Sequence, residues 1–550
     1  MMFSIIRFLL PFSLFGAITF SSFGQTKYWI RFADKDTSAY HYTQSLSPQA
    51  IHNRIQHQIP LFQFTDIPVS KKYLTQLHDL GLAPIASSKW LNAVSVRMEA
   101  SQVAQVKQIP GVLSVEPMEA FFQYAAYRTS DRKEPDGVHP AIANMQYQVF
   151  KEAGLNGKGI TIGVIDAGFF NAAEDKATNH IINENRIQVQ RDFIDPSRAD
   201  IITRKATNSD GHGMEVLKSI GGYGILYDTF MVQYGLAYEA QFVLARTENG
   251  DKEHRVEEDH WIMAMEWMDS LGVRVISTSL GYAINMDDPT EDYLPEEMNG
   301  KTARISRAAQ IAFDEKGILL VVSAGNEGDN PNWRIVGAPA DAKGVLSIGA
   351  TERDLFLRIG YSSIGPEFLP YLKPNVSTYS PNGTSFSCPS ITGFMACLMQ
   401  NDSTLSNKAL YDIVQRSAHL YPYGNNYIGY GVPQADRALE LAKDTSWQSG
   451  KVVVKQMFGK KVFQYDLGLK EYDLDGELFH KKDAVHVIAQ DMVRMRDGKL
   501  KVKRFKGEVL RTLKLPLIKK RFVLKRNKDV PTMRSTLTFQ EEVTIEIIWE

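Results

Sequence analysis

Asn382-Gly383-Thr384-Ser385-Phe386-Ser387-Cys388-Pro389 sets a serine hydroxyl between a tight glycine turn and a strongly apolar run. A serine hydroxyl is a weak nucleophile at neutral pH, so it needs a base to take its proton, and imidazole suits because its pKa lies close to neutrality. Asp210-Gly211-His212-Gly213-Met214 offers such a base in His212. An imidazole used this way needs its other nitrogen held and its cationic form stabilised, and Asp166 in Gly163-Val164-Ile165-Asp166-Ala167-Gly168 supplies a carboxylate. Attack on a carbonyl makes an oxyanion, which donors fixed in advance toward that oxygen stabilise, and Ser323-Ala324-Gly325-Asn326-Glu327-Gly328 carries a side-chain amide able to donate.

Each segment alone has a bland reading. Gly-Thr-Ser is common, Asp-x-Gly is a turn signal, and Gly-His-Gly can simply start a helix. The specific feature is their joint occurrence in the order Asp, His, Asn, Ser, each where a strand ends or a helix begins. Short apolar runs at residues 160–165, 242–245, 273–277, 318–323 and 345–348 read as strands buried in a parallel sheet. Helical patterns at 257–271 and 302–316 separate them, so residues 141–442 predict an α/β layered architecture. In such a sheet functional groups gather at the carboxyl ends of strands, where Asp166, Ser279 and Asn326 fall.

The four segments in this order resemble the subtilisin-like serine peptidases over about three hundred residues. The resemblance implies a secreted serine endopeptidase acting through an acyl-enzyme at Ser385, with Asp166, His212 and Ser385 as triad and Asn326 as oxyanion donor. It further implies that Ser279, Leu280 and Gly281 form an edge where substrate backbone adds as a strand. Ala324 and Gly325 would make the opposite wall of the primary pocket and Gly337 its base, with no charge in it, so cleavage after Leu, Phe, Tyr or Met is expected. Lys373-Pro374-Asn375-Val376 resembles the stretch preceding the serine segment in that family. Two positions depart from the pattern. Ala167 stands where a hydroxyl residue is usual, which removes one hydrogen bond to Asp166, and Met214 replaces a threonine. The alternative is a catalytically silent binding protein on the same fold; retention of all four groups favours the enzyme. An α/β-hydrolase esterase is excluded by order, since it would need Gly-x-Ser-x-Gly with histidine last.

The flanking regions complete an expected four-part organisation. Arg7 followed by an apolar run over residues 8–20, with Ser22 and Gly24 after it, reads as a signal peptide over residues 1–24, so the protein is expected to be secreted or placed in the cell envelope. Residues 25–123 form a small α+β unit: a strand near Tyr28 to Phe32, helices started at Ser47-Pro48 and Ser70, strands at 92–98 and 112–115, and a short helix at 102–108. By the resemblance it is a propeptide-like, intramolecular inhibitor whose tail is cut within 122–137. The catalytic domain spans 124–446. Residues 447–550 read as a small β-rich domain with segments at 451–454, 499–505 and 536–549, carrying roughly nine more Lys and Arg than Asp and Glu from Lys451 onward.

With a net charge of −1 and 44% apolar residues, the whole chain has ordinary globular composition and no global attraction for nucleic acid, so protein or peptide substrates are the expected partners. Cys388 and Cys397 are nine positions apart on one helix, ~13 Å along its axis, too far for a disulfide. No cofactor or metal is expected. An acidic stretch with Asp287, Asp288, Glu291, Asp292, Glu296 and Glu297 raises the question of calcium, but its spacing matches no calcium-loop pattern.

Overall fold

The computed structural model describes residues 26–118, 137–226, 230–250, 255–284, 292–447, 452–454, 462–466, 474–496, 499–506, 509–516, 521–526, 531–539 and 543–549. The expected signal segment and the expected cut between 122 and 137 lie outside these residues, save Gly137.

The N-terminal unit is a four-stranded antiparallel sheet in the order β2-β3-β1-β4, built from β1 (Thr26–Phe32), β2 (Pro84–Ser88), β3 (Ala93–Met98) and β4 (Val112–Met118). Its helices are α1 (Tyr42–Ser45), α2 (Pro48–Gln56), α3 (Lys71–Asp79) and α4 (Val103–Lys107). Ser47 caps α2 through a hydrogen bond from the Ala50 N–H, and Pro48 takes the first helical position. Ser70 precedes α3 without making a cap bond. Strand β2 was not foreseen, because Pro84 and the polar Ser87 and Ser88 hide its alternation.

The central layer is a seven-stranded parallel sheet ordered β13-β12-β11-β10-β5-β9-β6. After α5 (Pro140–Ala143) and α6 (Tyr147–Glu152) come β5 (Thr161–Asp166), α7 (Asn179–Asn183), β6 (Ile187–Asp192), α8 (His212–Gly221), a hairpin of β7 (Tyr223–Leu226) and β8 (Phe230–Gln233), and β9 (Gln241–Arg246). Then follow α9 (Val256–Leu271), β10 (Val275–Thr278), α10 (Arg304–Glu315), β11 (Leu319–Ser323), β12 (Leu346–Thr351), β13 (Val376–Tyr379), α11 (Thr384–Asn401), α12 (Asn407–Ser417) and α13 (Ala435–Lys443). Strands β10 and β11 are buried throughout because helices cover both faces, which explains their unbroken apolar runs. Strand β6 escaped sequence reading because its Gln and Arg positions at the sheet edge break the apolar run.

The chain leaves β5 for the far edge, returns through β9, and then crosses to β10 on the other side of β5. That reversal opens a crevice at the carboxyl end of β5, where Asp166 is the last residue. Helix α11 is buried nearly all round and runs through the apolar core with Ile391, Phe394 and Leu398. Cys388 and Cys397 are both free and buried within it.

The C-terminal strands are β14 (Val452–Val454), β15 (Val462–Asp466), β16 (Leu474–Lys481), β17 (Val487–Arg496), β18 (Lys499–Lys506), β19 (Val509–Pro516), β20 (Arg521–Lys525), β21 (Arg534–Phe539) and β22 (Val543–Ile548). Seven of them form one sheet ordered β14-β22-β21-β16-β17-β18-β19. The single alternating segment expected at 536–549 is instead the antiparallel pair β21 and β22. This sheet shares an apolar cluster with the central domain, joining Phe479 and Val487 to Leu355, Leu357, Leu420 and Ile428.

Candidate active site

Asp166 is fully buried at the end of β5. Its Oδ1 accepts hydrogen bonds from the Ala167 N–H at 2.8 Å and from His212 Nδ1 at 2.7 Å. Its Oδ2 has no hydrogen-bond partner among the described residues, the bond expected to be lost with alanine at 167. His212 opens α8, and its side chain remains 25% exposed toward the cleft. Burial alone would push the imidazole pKa down; the charge and hydrogen bond of Asp166 outweigh it, so the pKa is raised above the usual 6.5.

The glycines around this pair allow two backbones to meet. A Cβ on Gly213 would lie 2.4 Å from the Gly168 carbonyl oxygen, so only glycine lets α8 approach the turn after β5 this closely. A buried ionic cluster, not foreseen from sequence, fixes the same junction. Arg246 donates to the Ala167 carbonyl at 3.0 Å and to Asp192 at 2.9 Å, and Arg198 pairs with Asp210 at 3.2 Å. Asp210 also accepts from the Ala206 and Thr207 N–H groups, at 2.6 and 3.2 Å, which shapes the loop leading into His212. Arg246 at the end of the buried strand β9 was the available signal.

Ser385 occupies the first turn of α11, after Gly383 with φ +123°, a conformation that favours glycine. The Ser385 hydroxyl makes a long hydrogen bond of 3.5 Å to the Ser279 carbonyl, while the Ser279 hydroxyl donates to the Ser385 carbonyl at 2.7 Å. Asn326 Oδ1 accepts from the Thr384 N–H at 2.8 Å and the Thr384 hydroxyl at 3.0 Å. With its oxygen engaged by Thr384, Asn326 lines the cleft beside Gly383. Thr384 is therefore a positioning residue that sequence reading passed over as part of a common tripeptide.

One cleft brings the predicted residues together: Ser279, Leu280, Gly281, Ala324, Gly325 and Gly337 line it with His212, Asn326 and Ser385. Ala283, Ile284 and Ile335 add apolar surface near Gly337. Glu248 and Glu327 line the same cleft. Both are held by neighbours: Glu327 accepts from Asn330 Nδ2 at 2.8 Å, and Glu248 from the Tyr282 hydroxyl at 2.7 Å. Burial raises the Glu248 pKa, and the Tyr282 and Thr247 hydroxyls oppose that shift.

In the acidic stretch, Asp287, Asp288 and Glu291 lie outside the described residues. Glu297 accepts from the Leu294 N–H at 2.7 Å. Among the described residues no group of three or more His, Cys, Asp or Glu is placed to hold a metal ion.

The N-terminal unit docks on α9 through carboxylates. Asp259 accepts from Trp29 Nε1 and the Ser95 hydroxyl, each at 2.8 Å, and pairs with Lys27. Glu266 accepts from the Ser88 hydroxyl at 2.7 Å and the Trp90 N–H at 3.0 Å. Asp269 pairs with Arg54 at 3.0 Å.

Comparison with known proteins agrees with this architecture. The subtilase family profile matches residues 157–431, and that of the peptidase S8 propeptide domain of Bacteroidota matches residues 27–134. Subtilisin NAT of Bacillus subtilis subsp. natto is 25% identical over 362 residues, 64% of this chain and 82% of that protein. The minor extracellular protease Epr of Bacillus subtilis is 26% identical, covering 67% of this chain and 52% of that protein. Among solved structures, a variant of the epidermin leader peptide processing serine protease of Staphylococcus aureus is similar in fold, with TM-score 0.52, 11% identity, and coverage of 76% of this chain and 100% of that one. A parallel sheet with its reversal at β5, together with the two profile matches, places the chain in the subtilase family, as a serine-type endopeptidase that carries its own propeptide domain.

Proposed function

We propose that this protein is exported and cleaves peptide bonds through an acyl-enzyme at Ser385. The observation that carries the reading is the buried Asp166–His212 hydrogen bond of 2.7 Å beside Ser385, with Asn326 lining the same cleft. Rotation about the Ser385 Cα–Cβ bond away from the Ser279 carbonyl would direct the hydroxyl to His212 Nε2; such contacts tighten when substrate binds. His212 takes the hydroxyl proton as Oγ bonds to the scissile carbonyl carbon. Asn326 Nδ2 and the Ser385 N–H stabilise the resulting oxyanion, aided by the positive end of α11. The imidazolium then protonates the leaving amine as the C–N bond breaks, and water repeats the sequence to release the acid.

Asp166 holds the imidazole in the tautomer with Nδ1 protonated. The apolar surface from Ala283, Ile284 and Ile335 supports cleavage after Leu, Phe, Tyr or Met. Residues 1–24 act as the export signal, 25–123 as the inhibitory propeptide, 124–446 as the catalytic domain and 447–550 as a C-terminal β-rich domain. The name of the extracellular relative supports export.

Labelling with a fluorophosphonate probe and mass measurement of the expressed chain test this reading together. Wild type should be labelled at Ser385 and lose about one hundred residues by self-processing, the share expected of a propeptide. Ser385→Ala should be unlabelled and retain them. Equal trimming of both would assign processing to another protease, and a folded wild type that resists labelling would favour the silent binding protein.

A further inference from the structure

A second cavity, of about 620 Å³, lies where the β-rich sheet meets the catalytic domain and shares no residue with the Ser385 cleft. Its size suits a small molecule or the end of a peptide, for which sites of roughly 300–1,000 Å³ are usual. Much of its polar wall is already engaged with neighbours. Asn375 donates to the Tyr411 hydroxyl at 2.8 Å and to Gln415 at 3.1 Å, and the Tyr371 hydroxyl donates to the Asp341 carbonyl at 2.9 Å. Pro366, Leu369, Leu372 and Tyr430 give the cavity an apolar face. One end carries charge. Thr536 of β21 and Glu546 of β22 are direct partners, and Arg534 is two residues from Thr536, so all three side chains stand on one sheet face. Lys481 of β16 stands opposite Arg534. The buried Lys481 ammonium pairs with Glu546 at 2.9 Å, and the Thr536 hydroxyl donates to the same carboxylate at 2.6 Å.

Lys481 thus answers the charge of Glu546, and among the described residues no carboxylate pairs with the half-buried Arg534. The cavity end keeps one positive charge on its wall, with the Tyr423 side chain in the field of both Arg534 and Glu546. A guanidinium so placed takes a carboxylate through two parallel hydrogen bonds, and the adjoining apolar face takes the group to which that carboxylate is attached. We propose that this cavity binds the C-terminal carboxylate of a peptide ending in a large apolar residue. An endopeptidase makes such ends, because hydrolysis leaves a free carboxylate on the residue before the cut bond. The proposed cleavage after Leu, Phe, Tyr or Met would supply a side chain that matches the apolar face; this match rests on that reading, while the carboxylate site does not. A cleaved chain held here stays tethered to the enzyme that cut it.

The test is calorimetric titration of the full-length Ser385→Ala protein with N-acetyl-Ala-Ala-Phe as the free acid and as the C-terminal amide. The acid should bind, and the amide should bind more weakly by about tenfold or more. Arg534→Gln should weaken the acid by on the order of ten- to a hundredfold, the scale of a charge-assisted contact, and leave the amide unchanged. Its melting temperature should match that of the parent, since no ion pair is lost. In the otherwise wild-type enzyme, Arg534→Gln should leave hydrolysis of a small peptide unchanged, which separates this site from the cleft. Equal binding of acid and amide by the parent overturns the proposal, and this comparison holds even where Arg534→Gln does not fold. Acid binding that a folded Arg534→Gln does not weaken places the peptide elsewhere and overturns it too. Octanoate binding more tightly than the peptide acid would assign the cavity to fatty carboxylates, against the proposal. Should Ser385→Ala still cleave peptides, the Ser385 reading fails, while the comparison of acid with amide still decides this inference.

Discussion

Replacing Asp259 with alanine should free the peptidase from its own N-terminal unit. The carboxylate is 1% exposed and collects donors from two strands of that unit. Trp29 and Ser95 are direct partners in the β1–β3 register, and Lys27 is two residues from Trp29, so period-two alternation puts all three side chains on one sheet face. Asp259→Ala leaves the Lys27 ammonium buried without its counter-charge and strands the Trp29 and Ser95 donors. Breaking a buried pair by removing one partner costs about 3–5 kcal/mol, which at ~1.36 kcal/mol per decade is roughly two to nearly four decades in inhibition constant. The lower end is expected, because burial already lowers the Lys27 pKa and eases loss of its proton. The assay titrates matured wild-type and Asp259→Ala enzymes with N-terminal unit recovered from wild-type processing, reading peptide hydrolysis. Lys27→Met combined with Asp259→Leu should recover part of the loss, since apolar replacement of a buried pair is often neutral. A rise under about fivefold in folded Asp259→Ala, the size expected of an exposed pair, would refute the reasoning.

Other expectations follow from the site and the packing. Asn326→Ala should lower kcat by on the order of 10²–10³ with little change in KM, because the amide acts on the oxyanion and not on the bound ground state; an effect confined to KM contradicts the role. His212 must be neutral to accept a proton, and its pKa is raised, so kcat/KM should climb with pH through a value above 6.5. Asp166→Asn removes the charge that raises it, which should move that limb to lower pH while kcat falls by on the order of 10⁴; an unmoved limb argues against the pairing. Ending the chain after Ser446 should lower the melting temperature by about 10 °C or more, because Leu355, Leu357, Leu420 and Ile428 lose apolar cover worth several kcal/mol. Calorimetry finding no change would show that the β-rich sheet adds nothing to the fold, and the shortened enzyme should still cleave a small peptide where it remains folded.

The sequence by itself determined the chemistry and where it could stand. Ser385 after Gly383, His212 before Gly213 and Asp166 at the end of an apolar run are legible because each role needs a particular local backbone: a helix start, a close approach, a strand end. Buried strands such as β10 and β11 were legible for a similar reason, since helices on both faces leave an unbroken apolar run. What escaped depended on partners far along the chain. The order of strands around β5, the Arg246 bridge between Ala167 and Asp192, and the buried Tyr282–Glu248 hydrogen bond are set by tertiary packing. Asp259, Glu266 and Asp269 look like the solvated charges of any acidic helix, and nothing local to α9 distinguishes them. Only docking of the N-terminal unit decides that Asp259 and Asp269 meet a counter-charge and that Glu266 meets hydrogen-bond donors, because the partners that offset their desolvation lie far away in sequence.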